Sequence, residues 1–527
     1  MNMDRELEKC LEKLNPFEIS HDLIQEATLQ KLYDAGRGNP NWINTLARQA
    51  FALLMQFGCQ DVKMLTSDQQ VASVPENQGI ASRLQIFLDE VSSDASDFLK
   101  KILDFSDKQN WIADKFVSEL VHGVLGDNYP TPPRVLSFVE RVLNLYFEEI
   151  LYGGRGLYND SQIFATEGGT AAICYIFSSL KENFLIQKGQ KIAMNTPIFT
   201  PYLDIPTLND YELVEVCVES SDENDWQVSL EGLDLLKNPA IKVFFLVNPS
   251  NPGSVAMSKK LLDKLEEIVI ENPDLMIVTD DVYATFVEDF ESVYARLPKS
   301  TILVYSFSKL FGATGWRVGD IVVNKDNIFD KKIAQLSSDQ KTVLQKRYQK
   351  VSTDVTNLSF IDRLVADSRA VGLAHTAGVS TPAQIMEMLF AFVLLLDKDK
   401  QYSHDCSLLV QNRARLFYEA LGLTMPKNPL STYYYGLVNI RELAENKYGK
   451  EFVAFLESDY EEIDFAVRLA KDFGVVLLEG VGFGTQKGEM RVSFSNLQTQ
   501  DYPTIANGIL RVMEEYFREF QERSSLR

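Results

Sequence analysis

Hydrophobic and polar positions along the 527-residue chain follow two alternating patterns. Short apolar runs closed by turn residues, at Lys191 to Met194, Ile241 to Val247, Leu275 to Thr279 and Thr301 to Tyr305, predict strands. The run Ile241 to Val247 is apolar at nearly every position, the composition of a strand buried on both faces of a parallel sheet. Apolar residues at helical spacing stand beside these runs, as at Val135, Phe138 and Val142, and at Ile173, Ile176, Phe177 and Leu180. The alternation predicts an α/β fold. Residues 60 to 126, with Leu84, Phe87, Leu88, Phe98, Ile102 and Leu103, read as a helical insertion, and Asp326 to Leu364 as a long charged helical stretch. From residue 383 a helical pattern gives way to a strand near Thr432 to Val438 and a helix over Glu461 to Phe473. Strands over Val475 to Gly480 and Met490 to Ser495 then close an α+β unit.

This length predicts two or three packed units and room for a sizeable pocket. A net charge of −22 argues against a nucleic acid or an anionic membrane surface as partner. The five cysteines, at 10, 59, 174, 217 and 406, form no Cys-x-x-Cys and suggest neither disulfides nor zinc, so a reducing cytoplasm is expected. The four histidines form no cluster, and no metal is expected. The charged start Met-Asn-Met-Asp-Arg lacks the core of a signal peptide. The apolar run around Met388 to Leu396 is far short of the ~20 residues that span a bilayer.

Candidate chemistry gathers at strand ends. Lys309 leaves the run Thr301 to Tyr305, with Ser306 and Ser308 before it and Gly312, Gly315, Trp316 and Arg317 after it. Hydroxyls, a free backbone and a fixed cation around one amine suit a phosphate ester that carries an aldehyde. Gly168-Gly169-Thr170 joins a strand to a helix, where unhindered amides favour an anion. Asn248-Pro249-Ser250-Asn251 closes one strand, and Asp280, Asp281 and Tyr283 close the next. A buried acid there needs a partner. Arg491 interrupts an apolar strand and fits a carboxylate bidentately. Arg37 sits between Gly36 and Gly38, Tyr129 opens a proline-rich turn, and Phe199 lies in the rigid aromatic turn Thr196 to Tyr202. Each alone also has an ordinary reading, as a solvated lysine, a loop arginine or a packed ring.

The segment Ser306-Phe307-Ser308-Lys309 followed by Gly315-Trp316-Arg317-Val318-Gly319 resembles the lysine segment of fold type I pyridoxal phosphate enzymes, the aspartate aminotransferase superfamily. The resemblance implies a large domain around a mostly parallel sheet and a smaller α+β domain. Residues 1–60 and 373–527 are expected in the small domain, 128–372 in the large one, and 61–127 in the insertion. It implies pyridoxal 5'-phosphate bound through Lys309, its phosphate on Gly168, Gly169, Thr170, Ser306 and Arg317, and on Tyr129 from a neighbouring subunit. Phe199 would lie against the ring, Asp280 on its nitrogen, and Asn251 and Tyr283 on its phenolic oxygen, with Asp281 facing elsewhere. Arg491 would take the substrate α-carboxylate.

Gly36 to Trp42, Glu167 to Ala172, Asn248 to Asn251, Thr279 to Tyr283 and Phe360 to Arg369 look like bacterial aspartate β-decarboxylases over nearly the whole chain. That likeness implies conversion of L-aspartate to L-alanine and carbon dioxide, with aspartate transamination beside it, in a homodimer built into oligomers up to a dodecamer. A dedicated dicarboxylate aminotransferase uses the same parts and is the rival reading. A regulator with an aminotransferase-like domain would need a basic module that this acidic chain does not show.

Overall fold

The structure is a computed structural model that describes residues 16–26, 31–68, 70–217, 226–369 and 378–525. Its strands are β1 (Tyr33–Asp34), β2 (Ser161–Thr166), β3 (Lys191–Thr196), β4 (Glu212–Cys217), β5 (Ile241–Val247), β6 (Met276–Asp280), β7 (Thr301–Ser306), β8 (Gly319–Asn324), β9 (Tyr435–Asn439), β10 (Val475–Val476), β11 (Leu478–Glu479) and β12 (Glu489–Ser493). A seven-stranded sheet runs in the order β2-β8-β7-β6-β5-β3-β4. Strand β8 is antiparallel to β2 and β7, and the pairs from β7 to β4 are parallel. This is the mostly parallel α/β sheet that the apolar runs predicted. Strands β6, β7 and β8 are buried at every position, as a sheet covered by helices on both faces requires.

Several predicted elements take a different form. The charged stretch after residue 326 is three helices, Ile328–Ala334, Ser338–Tyr348 and Phe360–Ser368. Residues 61–127 hold the helices Ile80–Glu90, Asp94–Lys108 and Ala113–Leu125. Their buried faces, with Leu84, Phe98, Ile102 and Phe116, join the main core. The strand expected over Val475 to Gly480 divides: β10 pairs with β1, whereas β11 joins β12 and β9 in a three-stranded antiparallel sheet. The run beginning at Thr432 becomes a strand only at Tyr435, because Tyr433 takes a left-handed φ of 49°. Strands β4 and β8 had no counterpart among the predicted runs.

One short segment fastens the parts together. Residues 33 to 41 run beside the C-terminal strands, with Ala35 donating to the Val476 carbonyl, Ser493 to that of Ala35 and Asn41 to that of Ser495. The chain then crosses to the loop after Lys309. The Trp42 indole N–H donates to the Leu310 carbonyl at 2.9 Å, and the Arg48 guanidinium to the Phe311 and Gly312 carbonyls at 3.2 and 2.8 Å. Gly312 sits at φ 56°, and a Cβ there would lie 1.7 Å from the Trp42 carbonyl oxygen. Both the left-handed backbone and the backbone clash exclude a side chain. We predict that Gly312→Ala destabilises the protein by at least about 2 kcal/mol in denaturant unfolding. A loss under about 0.5 kcal/mol, ordinary for a tolerant surface site, would show that this contact does not set the loop.

Candidate active site

The C-terminal ends of the parallel strands deliver the chemistry, as expected of an open α/β sheet. Strand β6 ends at Asp280, β7 at Ser306, and β5 runs into Asn248 and Asn251, all buried. The Asn248 N–H donates to the Asp280 carbonyl, which ties two of these ends together.

An anion cradle lies at the start of the helix Gly169–Glu182. Its N-cap is Gly168, which has no side-chain oxygen to occupy the first amides. Gly168 has φ 89°, and a Cβ on it would stand 2.6 Å from an Arg317 Nη atom, so the guanidinium rests where a side chain would be. Arg317 is itself left-handed at φ 51° and donates to the Thr314 carbonyl at 3.0 Å. Ser306 lies behind Gly169, its Oγ donating to Ser308 Oγ at 2.9 Å. Free amides, a fixed cation and two hydroxyls suit a phosphate. Thr170 is exposed at the same turn and bonds the Tyr202 hydroxyl.

Asp280 is fully enclosed. The Tyr202 hydroxyl donates to its Oδ2 at 2.8 Å and the Val282 N–H to its Oδ1 at 3.3 Å. Burial pushes the carboxyl up to about 6, against the pull of these donors and of Lys309. Such an acid is short of a cation and fits a protonated ring nitrogen. Phe199 is half-buried and packs edge-on against Tyr202, their ring centroids 5.2 Å apart. Asp281 turns from this cluster, as the offset of one residue along a strand predicts. It is nonetheless buried, bonded to Thr279 Oγ1 at 2.5 Å and to Ser292, and burial raises it to about 8.

Two cations face a single loop. Lys309 Nζ donates to the Gly38 carbonyl at 3.0 Å. Arg491, 1% exposed, donates from one Nη to the Gly36 carbonyl at 2.6 Å and from the other to Asn251 Oδ1 at 2.9 Å, while its Nε is buried without a partner. Among the described residues no carboxylate pairs with this guanidinium, which leaves it able to accept one. Asn251 Nδ2 donates to the Tyr283 hydroxyl at 3.4 Å, and that hydroxyl meets the Tyr435 hydroxyl at 2.9 Å. The chain of contacts Arg491, Asn251, Tyr283, Tyr435 thus crosses from the small sheet to the large one.

Arg37, between the two glycines, points outward at 60% side-chain exposure and pairs with Asp34 at 3.4 Å. Tyr129 is 69% exposed, and no hydrogen bond among the described residues joins it to the cluster. Sequence reasoning missed Tyr202, Tyr434, Tyr435, Asp34 and the carbonyls of Gly36 and Gly38. Three consecutive tyrosines, Tyr433 to Tyr435, were a usable signal, since a buried phenol needs a partner. The hydroxyl-rich run His375 to Pro382 begins in residues 375–377, which lie outside the described residues, as does Cys10. Ser380 caps the helix Thr381–Leu395, its side chain accepting from the Ala383 N–H. No helix among the described residues is long and apolar enough to cross a membrane.

Comparison with known proteins places this geometry. The sequence profile "Aminotransferase class I and II" matches residues 126–509. The chain is 40% identical to the bifunctional aspartate aminotransferase and L-aspartate beta-decarboxylase of a Pseudomonas species, over 97% of this chain and 98% of that one. It is 26% identical to the asparagine--oxo-acid transaminase of Streptococcus mutans over 40% of this chain and 53% of that protein. The solved Thermus thermophilus aspartate aminotransferase with maleate is similar in fold at a TM-score of 0.61, with 15% identity over 97% of this chain and 100% of that one.

Asp281 supplies a stability test independent of catalysis. Its folded-state value, about 8, lies above that of an unfolded aspartate, near 4. Its contribution is therefore fully present below about pH 4 and is lost as pH rises through about 8. Asp281→Asn keeps an acceptor for Thr279 without the charge. Between pH 5 and 8 the wild type should lose at least about 1 kcal/mol relative to the variant in denaturant unfolding. Parallel pH profiles would mean that Asp281 titrates as an ordinary carboxylate.

Proposed function

The chain belongs to the class I and II aminotransferase family, whose fold type I members depend on pyridoxal phosphate, and we propose that it converts L-aspartate to L-alanine and carbon dioxide, with aspartate transamination as its second outcome. The end-to-end likeness to the Pseudomonas bifunctional enzyme carries this reading. The site supports it chemically, with an enclosed carboxyl, an anion cradle, a lysine and a buried arginine held by neutral acceptors.

When bound, pyridoxal phosphate supplies an electron sink for the carbon next to the substrate nitrogen. Gly168, Gly169, Thr170, Ser306 and Arg317 would hold its phosphate, and Phe199 would flank its ring. Asp280 would keep a proton on the ring nitrogen, exchanging a costly buried charge for an ion pair. Asn251 and Tyr283 would donate toward the phenolic oxygen. Lys309 would carry the cofactor covalently at rest and, once released by the substrate amine, move the α-proton. Arg491 would take the α-carboxylate as a bidentate pair, giving up the neutral acceptors Gly36 and Asn251. Release of the β-carboxylate as carbon dioxide followed by protonation gives alanine, and hydrolysis gives oxaloacetate. Arg37 at the pocket edge would orient the distal carboxylate without burying it. Tyr129, exposed in the single chain, would complete the phosphate site of a second subunit in a homodimer-based assembly.

The direct test is to incubate the protein with pyridoxal phosphate and L-aspartate and measure alanine and carbon dioxide against oxaloacetate. Alanine with an equal amount of carbon dioxide is expected, and oxaloacetate alone would establish a dedicated aminotransferase. For the arginine, Arg491→Lys retains charge but loses the fork. kcat/KM for aspartate should fall at least ~10-fold, the equivalent of about 1.5 kcal/mol of charge-assisted hydrogen bonding. An unchanged value would move the α-carboxylate site elsewhere, with Arg37 the next residue to replace.

A further inference from the structure

Formation of alanine from aspartate consumes a proton at the β-carbon, one atom beyond the carbon that Lys309 serves. Of the four side chains that meet around the Gly38 carbonyl and the Tyr283 hydroxyl, three are already committed. Lys309 handles the α-proton, Tyr434 donates its hydroxyl to the Gly38 carbonyl at 2.8 Å, and the Tyr283 hydroxyl takes the Asn251 amide. Tyr435 differs. The hydrogen-bond partner of its hydroxyl is another hydroxyl, that of Tyr283 at 2.9 Å, which can pass a proton either way.

Its place is fixed from three sides. Tyr435 opens β9 opposite Ser493 of β12, two residues from Arg491, so the two side chains share a face of the small sheet. The Arg491 guanidinium lies 4.3 Å from the centre of its ring. Its hydroxyl packs on Gly38 so closely that a Cβ there would stand 2.0 Å away, and the carbonyl of that same glycine receives Lys309. The phenol therefore lies between the cation that would hold the α-carboxylate and the amine that the substrate nitrogen would displace. A substrate bridging the two would pass across this hydroxyl.

Resting on the decarboxylase reading above, we propose that Tyr435 is the catalytic acid that protonates the β-carbon once carbon dioxide has left. The bond between the β-carbon and the distal carboxylate carbon breaks and its electron pair stays with the substrate. That pair takes the Tyr435 proton to form the new C–H bond. The phenolate regains a proton from solvent through Tyr283, which makes one proton consumed per alanine and requires no other reactant. The electrostatic setting supports this role. Burial pushes the Tyr435 phenol up, but the Lys309 and Arg491 charges and the bond with Tyr283 bring it net below its ordinary value. Burial and the neighbouring phenols hold Tyr283 and Tyr434 well above theirs. Among the three, Tyr435 parts with its proton most readily.

The test uses the cofactor-loaded enzyme with L-aspartate and the variant Tyr435→Phe, which keeps the ring under Arg491. Alanine formation should fall by about 100-fold, the scale of a lost general acid, and oxaloacetate formation by less, so their ratio drops at least ~10-fold. Affinity for succinate, measured by equilibrium dialysis, should stay within about two-fold, because the hydroxyl is not asked to hold a carboxylate. Tyr435→His, which restores a proton donor, should recover part of the ratio. In the wild type, deuterium oxide should slow alanine formation more than oxaloacetate formation, a comparison that needs no variant. Equal losses of both products, a ten-fold loss of succinate affinity, or equal slowing in deuterium oxide would overturn the proposal. If the wild type makes no alanine, the decarboxylase reading itself has failed. If it makes alanine and Tyr435→Phe leaves the ratio unchanged, only the role of Tyr435 has.

Discussion

Two peptide carbonyls two residues apart hold the buried Arg491 and the half-buried Lys309: Gly36 accepts from Arg491 and Gly38 from Lys309. The rest of the arrangement depends on this loop. A carboxylate in either place would bind its cation far more strongly and would have to be displaced before an anionic substrate could enter. A neutral carbonyl satisfies a charged donor at a net worth of about 1.5–3 kcal/mol. The cations are kept paired yet available. The loop can come this close only because both residues are glycines: a Cβ on Gly38 would strike the Tyr435 hydroxyl, and one on Gly36 would press on Leu478 at 3.1 Å. The pairing of β1 with β10 and the contacts from Trp42 and Arg48 to the loop after Lys309 then serve one purpose, to hold a short N-terminal segment between the large sheet and the small one.

The neighbouring carboxyls of β6 show how one strand end serves two demands. Asp280 and Asp281 are both buried, and burial raises both, but only Asp280 has a donor network that opens toward Lys309. Asp281 lies in the core beside Thr279 and Ser292, where burial raises it to about 8 and favours its neutral form. A like charge one residue away would cost Asp280 its ionised form. Keeping Asp281 protonated removes that repulsion and leaves Asp280 free to ionise against an arriving cation.

The sheet was legible because strands buried on both faces write themselves as unbroken apolar runs, as Ile241 to Val247 does. Glu212–Cys217 was not, because it is the edge strand of the sheet and carries exposed polar residues, and Gly319–Asn324 was hidden behind the glycine and arginine of the lysine loop. Lysine, glycine and asparagine positions could be read since their chemistry is tied to side-chain type and local spacing. The Gly36 and Gly38 carbonyls could not, for a backbone acceptor has no residue signature, and its partners lie more than 270 residues away in sequence at Lys309 and 455 away at Arg491. Tyr202 was read as part of a rigid turn; only the fold, which sets its ring against Phe245 of β5, reveals that it donates to Asp280.

The exposed position of Arg37 bears on how a decarboxylase can recognise a group that it must also release. An arginine enclosed with the distal carboxylate would gain several kcal/mol in the ground state and lose it as the charge drains away, which raises the barrier by the same amount. At the surface the same pair is worth about 1 kcal/mol or less, because water screens it and can replace it. Arg37 meets that limit: its guanidinium stands in solvent, already shared with Asp34, while its backbone neighbours supply the two carbonyls that hold Arg491 and Lys309. Recognition at the α-end can be strong, since that carboxylate keeps its charge throughout. Recognition at the β-end has to be weak. On the proposed reading, a single loop would meet both requirements by turning the Gly36 and Gly38 carbonyls inward and the Arg37 side chain outward.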